Sequence, residues 1–211
     1  MKKLILTVAM GETYDGFARE FTYPAMRQYA AKVEADFVQW NQYHIQESVS
    51  YWKGLLWARD QGYDQVLYMD ADVLVVNAPD IFEVDFDSIA MKQGNAGPKI
   101  LDKIQQRLDS DFQPNDMFNA GVILIDKSFL KVFAEHFEEM TNKVLTTPFG
   151  DQSVLCSSLR QLGIRPTILG HQWNCPSTQV RVRSSFFIHF LGKGDQKVNL
   201  FYQYKKMIEQ T

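Results

Sequence analysis

The chain has 211 residues, of which 45% are hydrophobic and 13% aromatic. This composition is typical of one globular domain with a full hydrophobic core, and it excludes an intrinsically disordered chain. The net charge of −3 leaves no basic stripe, so neither a nucleic acid nor an anionic membrane surface is expected as a partner.

Strand-type and helix-type patterns alternate along the chain, which predicts an α/β fold. The opening nine residues are similar to a signal peptide, but their apolar core is so short that we interpret 4–9 as a first strand. A helix should begin at a cap formed by Ser48 or Ser50 and end at Gly62. Further helices are predicted at 17–33 (disturbed by Pro24), 98–108, 128–145, 151–162 and 200–209, and further strands at 36–40, 65–69, 89–92, 121–125 and 186–191.

These elements predict a single domain over residues 1–211, with a mixed central sheet flanked by helices; the chain can also be the amino-terminal part of a longer protein. Irregular stretches at 40–48, 93–97, 109–118 and 163–185 would form a rim suited to binding. No apolar stretch approaches the length of a membrane span, so we expect a soluble protein of the cytoplasm, or of the host cytoplasm if the source is viral. Cys156 and Cys175 fit a reducing compartment at least as well as a disulfide.

Two carboxylates close the third predicted strand. Asp70 and Asp72 follow the apolar run 66–69, and a second apolar run, 73–76, comes directly after them. Carboxylates at the end of a buried strand are costly to desolvate unless a cation lies between them, and open α/β sheets bind ligands at the carboxyl ends of their strands. The pair therefore predicts a divalent metal that carries a phosphorylated ligand. The Asp-x-Asp sequences at 85–87 and 109–111 lie among polar residues, and we interpret both as solvated loops.

Five segments resemble, in the same order, the motifs of GT-A glycosyltransferases, especially the retaining family that includes glycogenin and the bacterial lipopolysaccharide galactosyltransferases. They are a lysine-bearing helix at 51–57, the Asp-x-Asp strand at 63–72, Asn119-Ala120-Gly121, the Asp151-Gln152 helix start, and a late histidine motif that opens at His189. More loosely, the chain is also similar to a transferase domain of chlorella viruses that glycosylates the viral capsid. The resemblance implies a GT-A (Rossmann-like) fold and a hexosyltransferase.

The late histidine motif departs from the family pattern. The family usually follows its His-Phe-x-Gly with a Lys, a Pro and a Trp, and that Lys holds the donor pyrophosphate. Here Asp195 stands at the position of the lysine and the Pro-Trp pair is missing. We therefore expect Lys193 or Lys197 to contact the pyrophosphate, in a divergent branch of the family.

The resemblance also implies roles for single residues. Asp70, Asp72 and His189 would hold Mn²⁺, with Mg²⁺ as the next candidate, and the metal would stabilise the leaving diphosphate. Asp151 and Gln152 would be the catalytic residues that face the sugar. Donor-binding residues are expected at Ala9, Met10, Gly11, Tyr14, Lys53, Asp70, Ala71, Asp72, Asn119, Ala120, Gly121, Gly192 and Lys193.

Each of these residues also has a purely structural interpretation. Asp151 can serve only as a helix N-cap, Lys53 can be merely solvated, and an isolated histidine in an apolar strand is most often a core residue. His171, Trp173 and Asn174 could line the acceptor site, although an aromatic residue in such a stretch is more often part of the core.

The predicted reaction is metal-dependent transfer of a hexose or deoxyhexose from a nucleotide sugar to a glycan or glycoprotein acceptor, with UDP favoured over GDP. The Asp-Gln match favours a retaining route, whereas an inverting route would use Asp151 as general base. Two other functions stay open. One is a haloacid dehalogenase-type phosphatase with Asp70 as nucleophile, although the second Asp of its later acidic pair is missing after Gly150. The other is a non-catalytic module that binds sugar nucleotides.

Overall fold

A computed structural model describes residues 1–9, 12–41, 47–148, 150–179, 184–191 and 195–209. Runs of apolar residues form its central strands. In chain order the strands are β1 Lys3–Val8, β2 Asp36–Gln39, β3 Gln65–Asp70, β4 Val73–Val75, β5 Ile89–Gln93, β6 Phe118–Asp126, β7 Thr167–Ile168, β8 Cys175–Pro176 and β9 Phe187–His189.

The strands form two sheets. The central sheet has the order β2-β1-β3-β6-β5-β7, in which β1 runs parallel to β2 and β3 whereas β6 runs antiparallel to β3 and β5. The second sheet has the order β4-β9-β8. The predicted fold class, one α/β domain with a mixed central sheet flanked by helices, is therefore confirmed.

Seven helices surround the sheets in the described part of the chain. They are α1 Glu12–Phe17, α2 Tyr23–Lys32, α3 Glu47–Asp60, α4 Pro98–Arg107, α5 Lys127–Thr146, α6 Asp151–Gln161 and α7 Asp195–Glu209. Among the residues that the structure describes, none of the helices has both the length and the hydropathy that a membrane crossing requires.

Hydrophobic residues cover both faces of the central sheet. Along β1, Leu4 and Leu6 join one core cluster together with Trp52 of α3, whereas Ile5 joins the cluster on the other face with Met26 of α2. This period of two arises because successive side chains of a strand point to opposite faces. With both faces buried, only the sheet edges and strand ends remain available for a binding site.

Several predicted boundaries move in the structure. Helix α3 begins at Glu47, so Ser48 and Ser50 lie inside it, while Gly62 (φ +72°) ends it as predicted in the left-handed conformation that glycine adopts most readily. The helical segment predicted at 17–33 already begins with α1, and a π-helical turn, Ala18–Thr22, precedes Pro24, which lacks the N–H of a regular helix.

The carboxyl-terminal helix differs most from the prediction. Helix α7 begins at Asp195, five residues before the predicted start at 200, and thereby places Lys197 in its first turn. An aromatic cluster holds this helix against the body of the protein: Tyr204 and the partly buried Phe201 pack with Phe17 and Phe190. The polar opening of α7 gives no apolar periodicity, so the sequence pattern alone did not reveal it.

Candidate metal and donor site

The turn that joins β3 to β4 carries the acidic pair. Asp70 is the last residue of β3, in the middle of the central sheet, and Asp72 comes directly before β4 in the second sheet. In the second sheet, Val73 pairs with His189 in antiparallel register. This pairing brings the imidazole beside the two carboxylates, although most of the chain lies between them.

Three potential metal ligands converge at this turn. The Nε2 atom of His189 lies 3.3 Å from Oδ1 of Asp72 and 3.6 Å from Oδ2 of Asp70. One ligand atom from each of the three residues lies within 4.8 Å of the others. Asp72 and His189 are almost completely buried, whereas 38% of the Asp70 side chain is exposed, so Asp70 faces the opening of the site.

A chain of amides sets the orientation of the imidazole. Asn174 donates from Nδ2 to Oδ1 of Asn119 at 2.7 Å, which turns its own Oδ1 toward Nδ1 of His189 at 3.1 Å. Because Oδ1 can only accept, Nδ1 carries a proton and donates, and Nε2 is left facing the carboxylates, where its lone pair would be available to a metal ion. Histidine ligands of metals are commonly held in this way by a hydrogen bond at the other ring nitrogen.

The lack of space beside His189 explains why position 121 of the Asn119-Ala120-Gly121 segment is a glycine. A Cβ atom at Gly121 would lie 2.2 Å from Cε1 of His189 and 3.0 Å from Oδ2 of Asp70. The pairing of β6 with β5 is also irregular here. Met91 of β5 pairs with Ile123, but the next residue, Lys92, pairs with Asn119. The bulge carries Gly121 against the imidazole, and only a residue without a side chain fits.

A pair of tyrosines supports Asp70 from behind. The Tyr68 hydroxyl donates to Oδ1 of Asp70 at 2.7 Å, and its ring stacks on Tyr51 of α3 with the centroids 4.3 Å apart. Burial and the neighbouring Asp70 raise the pKa of Tyr68, so the phenol keeps its proton for this bond. Neither tyrosine was predicted as a site residue. The position of Tyr68, two residues before Asp70 on the same side of the strand, was the available signal.

Lys197 completes the surroundings of the acidic pair. Its ammonium group forms an ion pair with Oδ2 of Asp72, and only 7% of the lysine is exposed. From the sequence, this lysine was predicted only as an alternative to Lys193 for the pyrophosphate contact. Its contact with Asp72 depends on the early start of α7.

The charges in the site displace the pKa values in opposite directions. Burial and repulsion from Asp72 raise the pKa of the Asp70 carboxyl. Burial acts in the same direction on Asp72, but His189 and Lys197 outweigh it and hold the pKa of Asp72 below its usual range. Burial likewise opposes protonation of His189, yet the two carboxylates raise the pKa of its imidazole.

A divalent cation fits this arrangement. The ligand set of two carboxylates and an imidazole suits Mn²⁺, with Mg²⁺ as the harder alternative. In addition, Oδ1 of Asp72 is buried and accepts no well-formed hydrogen bond from the described residues. A metal ion between Asp70, Asp72 and His189 would satisfy this oxygen.

Helix α6 begins beside the same site. Its N-cap is Gly150, so the interpretation of Asp151 as the N-cap is wrong, and Asp151 is the first helical residue. The carboxylate of Asp151 lies near the buried phenol of Tyr51 and contributes, after burial, to the raised pKa of that tyrosine. The side chain of Gln152 is held by hydrogen bonds within the protein. Its Oε1 accepts from the backbone N of Ala120 at 3.2 Å, and its Nε2 donates to Sδ of Met117 at 3.5 Å.

The other predicted donor and acceptor residues lie in different surroundings. Ala9 and Ala71 are buried at the ends of β1 and β3, and Lys53 is exposed on α3. Trp173 packs on Phe187 in the core, which agrees with its structural interpretation. His171 is exposed, with its Nε2 atom 3.2 Å from Sγ of Cys175. The remaining predictions fall on Met10, Gly11, Gly192, Lys193 and the side chain of Tyr14, which lie outside the described residues.

The acidic pair at 109–111 corrects one prediction. Asp109 does not lie in a solvated loop, since its side chain is only 4% exposed and forms two hydrogen bonds with Arg160, from Nε at 2.7 Å and from Nη2 at 2.6 Å. Asp111 is 79% exposed, and the pair at 85–87 is exposed as predicted. The polar composition around residue 109 does not predict that Asp109 is buried against Arg160 of another helix.

Comparison with known proteins identifies the family and the fold of the chain. The model of glycosyl transferase family 8 matches residues 20–193. No curated protein sequence matches the chain significantly. A glycosyltransferase involved in glycosylation of the major capsid of PBCV-1 superposes with a TM-score of 0.65 at 15% identity, over 95% of this chain and 100% of the other.

Two further solved structures share the fold. The apo form of the glycosyltransferase GlyE of Streptococcus pneumoniae TIGR4 has a TM-score of 0.57 at 14% identity, over 96% of this chain and 60% of the other. The galactosyltransferase LgtC, in complex with donor and acceptor sugar analogues, has a TM-score of 0.54 at 15% identity, over 95% of each chain. Since the family model matches most of this chain, the chain belongs to glycosyl transferase family 8 and is a glycosyltransferase with the GT-A fold.

Proposed function

We propose that this glycosyltransferase moves a hexose or deoxyhexose from a nucleotide sugar, with UDP as the favoured nucleotide, to a hydroxyl group of a glycan or glycoprotein, and that it requires Mn²⁺ or Mg²⁺. One observation carries this proposal: the ligand atoms of Asp70, Asp72 and His189 converge within 4.8 Å at the carboxyl end of β3. Nucleotide ligands of open α/β sheets bind at this end of the strands.

The residues around the convergence divide the work of holding the donor. Asp70, Asp72 and Nε2 of His189 would ligate the cation, which when bound would stabilise the charge that develops on the leaving diphosphate. Lys197, with Lys193 as a second candidate, would contact the diphosphate in place of the family lysine, because Asp195 occupies that position. Ala9, Met10, Gly11 and Tyr14 would meet the nucleotide base.

The hexose would lie between β6 and the start of α6. Oδ1 of Asn119 already accepts from Asn174 and from the backbone N of Gly121, so the Nδ2 group of Asn119 is the part that would donate to a sugar hydroxyl. Asp151 would face the sugar as a catalytic residue. Gln152 would act through the backbone of Ala120, which its side chain holds.

We favour retention of configuration. The bond between the anomeric carbon and the phosphate oxygen would break while the acceptor oxygen attacks from the same face, and the acceptor proton would pass to the departing phosphate. Asp151 would stabilise the positive charge that develops on the sugar ring. In the inverting alternative, the same carboxylate would take the proton of the acceptor as general base.

A donor screen tests the proposal. The purified chain is incubated with UDP-hexoses and GDP-hexoses in MnCl₂, with and without EDTA, and release of the nucleoside diphosphate is measured. We expect release from one donor class, abolished by EDTA, and the anomeric configuration of the product from NMR separates retention from inversion. Binding without turnover for any donor and acceptor would support a binding module, and phosphate release from sugar phosphates would support the phosphatase.

A further inference from the structure

Lys197 occupies an oxygen of the metal site. Among the residues that the structure describes, it is the only lysine or arginine that forms an ion pair with Asp70 or Asp72. It contacts Oδ2 of Asp72, while Oδ1 of the same carboxylate faces His189 at 3.3 Å. Lysine and metal would therefore share one carboxylate.

Sharing this carboxylate is unfavourable for both cations. A divalent ion bound to Asp72 and an ammonium group on the same carboxylate repel each other, and the repulsion is strong because both Asp72 and Lys197 are more than 90% buried. Each cation therefore lowers the affinity of Asp72 for the other.

The donor diphosphate offers Lys197 another partner. It brings negative charge next to the metal. Lys197 lies in the first turn of the 15-residue helix α7, and the N-terminal end of a helix attracts anions. The lysine side chain is long and flexible, so its ammonium group can change partners while the backbone stays in place. The aromatic contacts of Phe201 and Tyr204 with Phe190 hold α7 in position during such a change.

We propose that Lys197 exchanges partners between Asp72 and the donor diphosphate, and so couples binding of the metal to binding of the nucleotide. This inference rests on the proposed function and adds to it a competition between Lys197 and the divalent cation for Asp72. The metal displaces the ammonium group, and the displaced group then binds the diphosphate. Metal and nucleotide sugar would consequently bind more tightly together than either does alone.

The competition predicts opposite effects of one substitution. In Lys197→Met, Asp72 loses its competing cation, so the affinity for Mn²⁺ alone should rise about 3- to 10-fold. The affinity for UDP at saturating Mn²⁺ should fall about 10-fold, because the diphosphate loses a positive partner. A lysine that only supported the fold would weaken both affinities, and a lysine that only bound phosphate would leave the affinity for Mn²⁺ alone unchanged.

The test measures free Mn²⁺ by electron paramagnetic resonance and UDP binding by calorimetry, on the full chain. Lys206→Met is the matched control, since this residue is exposed on the same helix, and both of its affinities should equal those of the wild type. Lys197→Arg keeps the positive charge and should bind Mn²⁺ no more tightly than the wild type. Equal or weaker Mn²⁺ binding by a folded Lys197→Met protein overturns the inference.

A measurement on the wild type keeps the test independent of the stability of the variants. The ¹³C signal of the Lys197 side chain, assigned with Lys197→Arg, should shift during titration with Mg²⁺ before any nucleotide is added. A signal that does not move at metal saturation rejects the exchange of partners. A wild-type chain that binds neither Mn²⁺ nor Mg²⁺ would instead contradict the metal site itself.

Discussion

Two acidic pairs of identical spacing have different surroundings in this protein. Both oxygens of Asp109 accept hydrogen bonds from Arg160, which holds the pKa of Asp109 below its usual range. In the other pair, one oxygen of Asp72 faces an imidazole without a well-formed hydrogen bond, and burial with repulsion between the carboxylates raises the pKa of Asp70. The guanidinium leaves Asp109 no oxygen for a metal, whereas the imidazole leaves the first pair open to one.

The positions of the two pairs in the fold account for this difference. Asp109 follows the end of α4 and ties it to Arg160 in the last turn of α6, so it holds two helices together. Asp70 and Asp72 lie where the chain passes from the central sheet to the second sheet, with their oxygens toward a shared space. The comparison shows that the partner of an Asp-x-Asp sequence decides its role, and the following variants test that conclusion.

The largest effect is expected from Asp72→Asn. Losing one charged ligand should abolish detectable Mn²⁺ binding and reduce transfer by at least about 100-fold, because the leaving diphosphate would lose its stabilising cation. Asp111→Asn is the matched control, as the second residue of an identical spacing that is 79% exposed. Mn²⁺ titration and initial rates measure both variants. Full activity in Asp72→Asn, or equal losses in both, would contradict the comparison.

Gly121→Ala should lower the affinity for Mn²⁺ by about 10- to 100-fold, the range typical when the support of a metal ligand is disturbed. The added methyl group would overlap the His189 ring and turn Nε2 away from the carboxylates. Gly16→Ala is the control, since its Cβ would meet nothing within 4 Å. The measurement is again the dissociation constant of Mn²⁺, and wild-type affinity in Gly121→Ala would show that the imidazole does not need this space.

Tyr68→Phe removes one hydrogen bond from Asp70 and leaves the ring in place. A hydrogen bond to a charged group contributes about 1.5–3 kcal/mol, and we expect part of it to appear as a roughly 3- to 10-fold loss of Mn²⁺ affinity. The exposed Tyr202 offers the control Tyr202→Phe, which should change nothing. If Tyr68→Phe binds Mn²⁺ as the wild type does, the phenol has no part in orienting the carboxylate.

Arg160→Met should leave Mn²⁺ binding unchanged and lower the free energy of unfolding by about 2 kcal/mol, because Asp109 would stay buried without its partner. The pKa of Asp109 is lower in the folded state, so the pair stabilises above the unfolded-state pKa of about 3.9 and this contribution is lost as the pH falls further. The difference from the wild type should therefore narrow below about pH 4.

Denaturant unfolding at neutral and acidic pH measures this difference, with Arg165→Met, at an exposed arginine, as control. A difference between Arg160→Met and the wild type that did not vary with pH would show that the charge of Asp109 is unimportant. Weaker Mn²⁺ binding in Arg160→Met would remove the functional distinction between the two acidic pairs.

Much of this arrangement could be predicted from the sequence because it depends on local patterns. The apolar runs before Asp70 and around His189 are strands, and the Asp151-Gln152 pair does begin a helix. The structure also places Asp70, Asp72 and His189 together, as the resemblance implied. Their roles toward donor and metal stay predictions.

The features that were missed depend on contacts between distant segments. Helix α7 begins early, in a polar stretch that has no apolar periodicity, and the contact of Lys197 with Asp72 stabilises this first turn. The support of His189 by Asn174, and of Asp70 by Tyr68, follows from strand pairing and stacking that no spacing encodes. The burial of Asp109 likewise requires an arginine from another helix.

The pairing of β4 with β9 makes the order of synthesis relevant to the metal site. Both carboxylates leave the ribosome well before the imidazole that opposes them, which is synthesised only with β9. A nascent chain that stops before β9 would carry the acidic pair without its third ligand. A shift of β9 by one residue against β4 would turn the imidazole to the other face of the small sheet. Only a chain that has paired β9 with β4 in the correct register would therefore have the complete metal site.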